Sequence, residues 1–136
     1  MVKVLLLELT MISPEINLMT LPVAQSIIGT SRTPFFRFRE RHKIRTLTGQ
    51  LICGADIIAA FEAERGREHL PDACGLSLGE YCAQLLTLEE AAAKYGWSMA
   101  TLLRFRGKHH VQKLSFGLVH GDDLTRGLNA ERQETC

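Results

Sequence analysis

From Thr20 onward the spacing of apolar positions divides the chain into elements. Leu21, Ala24 and Ile28 recur at the interval of one helix face. Thr20 stands as the N-cap of that helix, with Pro22 in the first turn, where a missing N–H costs little. Gly29 ends it, because the left-handed residue that closes a helix is easiest for glycine. Ser31 is then a natural N-cap for a second helix, in which Phe35 and Phe38 form the apolar stripe. The period next shortens to two. Ile44-Arg45-Thr46-Leu47 and Leu51-Ile52-Cys53 flank Thr48-Gly49-Gln50, which predicts a hairpin. A third helix is expected from about Ala55 to Arg65, with Gly54 at its entrance and Asp56 at its positive end.

The same pattern returns 67 positions later. Thr20 to Arg65 aligns without a gap on Thr87 to Arg132, with 16 identities in 46 positions, among them Gly29/Gly96, Ser31/Ser98 and Arg37/Arg104. Phe38/Phe105, Arg39/Arg106, His42/His109, Glu64/Glu131 and Arg65/Arg132 are others. Such gapless self-similarity marks one module written twice. Thr87-Leu88-Glu89-Glu90 is a capping box at the start of the second copy. Leu88, Ala91 and Tyr95 give its first helix, and Leu102 and Phe105 its second. Val111 to Leu114 and Leu118 to His120 flank Ser115-Phe116-Gly117 as a second hairpin, before a last helix from Asp122 to Arg132.

Helix, tight glycine turn, helix, hairpin, helix is a helix-turn-helix with a wing. The expected fold class is therefore mostly α with small β-hairpin wings (α+β), as two tandem winged helix-turn-helix modules. Residues 1–18 form an N-terminal segment with a strand and a short helix starting near Ser13-Pro14-Glu15; residues 19–66 form the first module. Residues 67–79 are a linker, 80–132 the second module and 133–136 a tail. Ser77-Leu78-Gly79-Glu80 is a further capping box, so a short helix is expected within Leu76 to Leu85.

Charge changes the picture more than composition does. Hydrophobic residues at 46% and charged residues at 23% fit an ordinary globular chain with a net charge of only +1. Yet Ser31 to Gly49 holds six basic residues against one acid, a net +5, and Ser98 to Leu114 holds four against none, a net +4. The remainder carries −8. Positive charge is thus concentrated on the second helix and the hairpin of both modules, the footprint expected for a phosphate backbone.

The stretch "VAQSIIGTSRTPFFRFRERHKI" resembles the excisionase-like branch of the MerR superfamily of winged helix-turn-helix domains, and "GADIIAAFEAERG" is similar to that family's closing helix. "EEAAAKYGWSMATLLRFRGKHHV" and "GDDLTRGL" resemble it more loosely. The resemblance implies duplex DNA binding by an excisionase, a regulator of a phage, plasmid or other mobile element, or a DNA-packaging subunit. The tandem is a departure, since such domains often occur singly and dimerise.

If Phe35, Phe38, Leu102 and Phe105 pack inward, then Arg32, Thr33, Phe36 and Arg37 face out in the first module, and Met99, Ala100, Leu103 and Arg104 in the second. Arginine is the usual bidentate reader of guanine. The expected base contacts are Arg37 and Arg104 first, then Arg32, with Thr33, Phe36, Met99 and Ala100 beside them. Met99 in place of Arg32 implies weaker base readout by the second module. Arg39, Arg41, Lys43, Arg45, Arg106, Lys108 and Lys113 are expected on phosphates, with Gln50 and Ser115 on the wings.

No nucleophile–base pair, phosphate-binding glycine loop, C-x-x-C pair or zinc spacing is present, so no enzyme activity, cofactor or metal is expected. Asp122 and Asp123 sit at a helix start, where capping explains them. His42, His109 and His110 read as helix-end histidines near phosphate. Val2 to Leu9 is broken by Glu8 and far short of the roughly 20 residues that span a bilayer, so a cytoplasmic, nucleoid-associated protein is expected, without a membrane. That segment would pair as an edge strand in a homodimer. The expected partners are double-stranded DNA and a recombinase or RNA polymerase. Two half-sites, about 34–36 Å apart for a helix-turn-helix pair, would be covered by one chain. The rival function is a protein-interaction adaptor that keeps the modules as scaffolds and uses Phe36 and Leu103. Single-strand stacking through Phe36 and Trp97 is a weaker alternative, because Trp97 is expected to pack.

Overall fold

The computed structural model describes residues 17–66 and 76–135. The expected strand at Val2 to Leu9 and the expected helix start near Ser13 lie outside the described residues. The chain is mostly helical with two small antiparallel β elements, and it divides into two compact units at Cys82/Ala83.

The first unit runs β1 (Leu18–Thr20), α1 (Leu21–Ile28), α2 (Arg32–His42), β2 (Leu51–Cys53), α3 (Gly54–Glu64) and α4 (Leu78–Cys82). The second runs β3 (Leu85–Thr87), α5 (Leu88–Tyr95), α6 (Met99–His109), β4 (Leu118–His120) and α7 (Gly121–Thr135). Local chemistry sets the helix ends. Gly29 and Gly96 close α1 and α5 at φ 84° and 69°, the left-handed region a Cβ disfavours. Thr87 and Glu90 make the full capping box on α5, and Ser77 and Glu80 make the same reciprocal pair on α4. Ser98 Oγ accepts from the Thr101 amide at the start of α6.

Strand pairing departs from the expected hairpins. Leu51–Cys53 pairs antiparallel with Leu18–Thr20, upstream of both helices, in the register Met19↔Ile52. Leu118–His120 likewise pairs with Leu85–Thr87, as Leu86↔Val119. Across the turn itself the link is a single bridge, Leu47↔Leu51 or Leu114↔Leu118. The reason is burial. Met19, Ile52 and Val119 are fully enclosed, whereas Arg45 and Thr46 are exposed and have no core to join. Glycine is required for a different reason where α3 begins: a Cβ on Gly54 would lie 2.6 Å from the Asn17 side chain, whose backbone oxygen accepts the Gly54 amide at 2.8 Å.

The core of the first unit centres on Met19, Ala24, Phe35, Phe38, Ile52, Ile57 and Phe61. Phe38 and Phe61 meet at 5.1 Å between ring centroids, and Tyr81 of α4 stacks on Phe61 at 6.0 Å. Leu78 and Tyr81 are buried, so α4 forms part of this unit. Tyr81 donates to Glu62 Oε2 at 2.6 Å, and Arg65 Nη1 reaches the same oxygen at 2.5 Å. Burial first, then the Glu62 carboxylate, holds the Tyr81 hydroxyl far above its ordinary pKa, which keeps it a donor.

The second unit packs Ala91, Ala92, Leu102, Phe105, Val111, Val119 and Leu124 into one cluster. Trp97 lies 4.9 Å from both Tyr95 and Phe105, so it packs rather than stacks on a ligand. The two closing helices differ in a way their sequences explain. On α3, Ile58 and Glu62 are buried; at the aligned positions of α7, Thr125 and Asn129 are exposed. The first copy carries Ile58 and the paired Glu62 on a face that α4 covers, and the second carries exposed polar residues there.

Candidate nucleic-acid interface

Each second helix divides its faces as its spacing requires. Phe35 and Phe38 of α2 are buried, and Leu102 and Phe105 of α6 are buried. The opposite face of α2 presents Arg32, Thr33, Phe36, Arg37 and Arg41, all exposed. The matching face of α6 presents Met99, Ala100, Leu103, Arg104 and Lys108, all exposed. Residues four apart lie one above the other, so each face has two rows. These are Arg32–Phe36 and Thr33–Arg37 on α2, Met99–Leu103 and Ala100–Arg104 on α6. The expected base-contact residues therefore come together on one surface within each unit. Phe36 is 49% exposed, Leu103 45% and Met99 37%, high values for side chains of this size.

The expected phosphate contacts separate into two groups. Arg41, Lys43, Arg45, Lys108 and Lys113 are exposed, with Lys108 Nζ 3.7 Å from Glu131. Arg39 and Arg106 are half-buried and hold the chain that follows the helix. Arg39 Nη2 donates to Thr46 Oγ1 at 2.7 Å, and Arg106 Nε donates to the Val111 carbonyl at 3.0 Å. Charge counting alone does not separate these roles. Lys43 and His110 close their helices in the left-handed region, both at φ 55°, without glycine. The amides of Ile44 and Val111 return to the carbonyls of Arg39 and Arg106 at 2.9 and 3.0 Å, and both apolar side chains are buried beneath. This lock aims the exposed end of each helix. Gln50 is exposed at its turn, next to Gly49, with both residues at positive φ; Ser115 is half-buried in a 3-10 turn.

The histidines have a structural task that the sequence reading missed. His42 Nε2 lies 2.7 Å from Glu64 Oε2, with its ring on Phe38 at 4.7 Å. His109 Nε2 lies 2.6 Å from Glu131 Oε2, with its ring on Phe105 at 4.5 Å. Each pair ties the end of the exposed helix to the closing helix. The signal was present, since both partners are identities of the repeat and both separations are 22 residues.

The His109 hydrogen bond holds the Glu131 carboxyl below its usual range, with Lys108 adding to it. A depressed carboxylate contributes stability above its unfolded pKa of about 4.3, and the contribution is lost as pH falls through the lower folded value. Glu131→Gln is thus expected to flatten the acid side of the second unit's stability profile, as read by thermal unfolding between pH 3 and 6.

Among the described residues no group of three or more His, Cys, Asp or Glu side chains is placed to hold a metal. Burial pushes the Cys82 thiol up to about 11, which favours its protonated form. No described helix is long and apolar enough to cross a membrane. No protein-family model matches the chain, and neither a curated protein nor a solved structure matches it.

Proposed function

We propose that the chain is a sequence-specific double-stranded DNA-binding protein. In this reading two tandem winged helix-turn-helix modules serve a transcriptional regulator or an excisionase-type factor of a mobile element. The observation that carries it is the duplicated exposed face. In both units, the helix that follows a glycine turn buries two apolar residues and turns an arginine outward at the same place, Arg37 or Arg104. One cationic helix face is common on a soluble protein. Two at aligned positions, each with a locked C-terminal end, each suit insertion into a major groove. Arg41, Lys43, Arg45 and Lys113 then lie near the phosphates, and Gln50 at the wing. Arg39 and Arg106 act as supports rather than as principal phosphate ligands.

Binding of the full chain to duplex DNA across a salt series tests this. Affinity is expected to fall steeply with salt, since each neutralised phosphate releases counterions. Lys43→Gly should reduce the logarithmic slope by about one, as for a single lost phosphate contact. It should leave the unfolding temperature unchanged or higher, because glycine accepts the left-handed conformation at that position. Absence of duplex binding at low salt would sink the reading and turn attention to a protein partner at Phe36 and Leu103.

A further inference from the structure

We infer that the two modules read different base chemistry: α2 reads the hydrogen-bonding edge of guanine, and α6 reads the 5-methyl group of thymine. This rests on the DNA-binding reading above and specifies its target.

The aligned rows of the two helices carry the inference. Three hydrogen-bonding side chains, Arg32, Thr33 and Arg37, stand on the exposed face of α2. On α6 the same positions are Met99, Ala100 and Arg104, so one of the three remains. The row Arg32–Phe36 becomes Met99–Leu103, two large apolar side chains in line, 37% and 45% exposed. Ala100 extends that surface beside them. The second unit's core does not use this face, because Leu102 and Phe105 are the residues turned inward. An exposed apolar row is costly to keep in water unless a partner covers it.

Charge selects the partner. Arg104 flanks the apolar row, and Lys108 lies one turn beyond it with its ammonium 3.7 Å from Glu131, so the face keeps a net positive charge and favours a surface that is anionic and yet offers an apolar spot. The major groove of duplex DNA meets both conditions at one base, thymine, whose methyl group projects between phosphate-lined edges and is read by apolar side chains. A bare hydrophobic protein surface would meet the row but not the cations. A stacked single strand would need an aromatic, and Trp97 is held between Tyr95 and Phe105. The first module keeps Phe36, but Arg32 and Arg37 flank it, and Arg39 lies over its ring at 5.8 Å. Its dominant readers are therefore the two exposed guanidinium groups. The target would be composite, with a guanine-bearing half and a thymine-bearing half, and Met99 changes what the second module reads.

The test uses the full chain and a synthetic pool of duplexes with a randomised core, free of 5-methylcytosine, so that any methyl read belongs to thymine. The selected duplex is remade with deoxyuridine for one thymine at a time, or 7-deazaguanine for one guanine at a time. Loss of a contacted methyl is expected to weaken binding about fourfold, at one or two thymines confined to one half. Loss of guanine N7 is expected to weaken it about fivefold or more in the other half. Met99→Ala and Leu103→Ala, both at exposed positions, should abolish the deoxyuridine effect and leave the 7-deazaguanine effect intact. Salt-sensitive duplex binding with no thymine sensitive to methyl loss would overturn the inference while leaving the DNA-binding reading in place. A deoxyuridine effect that survives both variants would overturn the assignment to α6. Failure of the chain to select or hold any duplex would remove the reading beneath it.

Discussion

Replacing Arg37 by alanine is expected to lower affinity for the selected duplex by about 5- to 150-fold, the range that corresponds to 1–3 kcal/mol for a good bidentate base contact. Affinity for scrambled duplex should fall far less. Arg104→Ala should also weaken binding, with a smaller loss of preference, because in the second module the apolar row of Met99 and Leu103 supplies most of the base reading. The reasoning is geometric. Both arginines project from exposed faces, one helix position before the buried rings of Phe38 and Phe105, which fix the helix rotation. Arg37→Lys separates charge from shape, since lysine keeps the charge but cannot make the planar fork. It is expected to retain binding to scrambled DNA and lose most of the preference. A loss that is equal on selected and scrambled duplexes for both alanine variants would mark the arginines as phosphate contacts and contradict their role as readers. Exposed Arg41 is the comparison. Its alanine variant should weaken all duplexes alike and lower the salt slope.

What the sequence made legible was local chemistry. Helix ends at Gly29, Gly96, Ser77 and Thr87 follow from side chains within four residues, and all are found where the pattern places them. Division of α2 and α6 into buried and exposed faces follows from helical period and the positions of Phe35, Phe38, Leu102 and Phe105. Strand partners were not legible in this way. Leu51–Cys53 had a plausible partner across a tight turn, and the actual partner, Leu18–Thr20, wins through the enclosure of Met19 and Ile52, a property of the assembled core. The left-handed ends at Lys43 and His110 were hidden because neither is glycine. The roles of Arg39 and Arg106 were hidden because a cation that braces a loop reads the same in sequence as one that faces solvent. The His–Glu pairs lay in the repeat alignment, but a separation of 22 residues has no local rule to flag it.

The repeat also conceals a difference that unfolding would expose. Arg65 and Arg132 are aligned identities, and yet they occupy unlike surroundings. The Arg65 side chain is 3% exposed against Glu62 at 5%, with Tyr81 on the same carboxylate oxygen, while Arg132 is exposed and its neighbour at the Glu62 position is Asn129. Arg65→Ala strands a buried carboxylate with one remaining donor. The expected cost is about 3–5 kcal/mol, the range for breaking a buried pair from one side. Arg132→Ala should cost no more than about 1 kcal/mol, the upper range for an exposed charge and whatever it meets at the surface. Denaturant unfolding of the full chain measures both, and the loss should appear in the transition of the first unit alone. Equal losses at the two positions would contradict the buried hub. Removing both charges with Glu62→Leu and Arg65→Leu, together with Tyr81→Phe so that the hydroxyl on Glu62 is not left unpaired, decides where the cost lies, because apolar partners then leave no group of the cluster stranded. Recovery of most of the stability would assign the cost to the stranded carboxylate. Failure to recover would mean that the Glu62 oxygen, shared by Tyr81 and Arg65, is what docks α4 onto α3, and that this docking depends on geometry that packing alone does not replace.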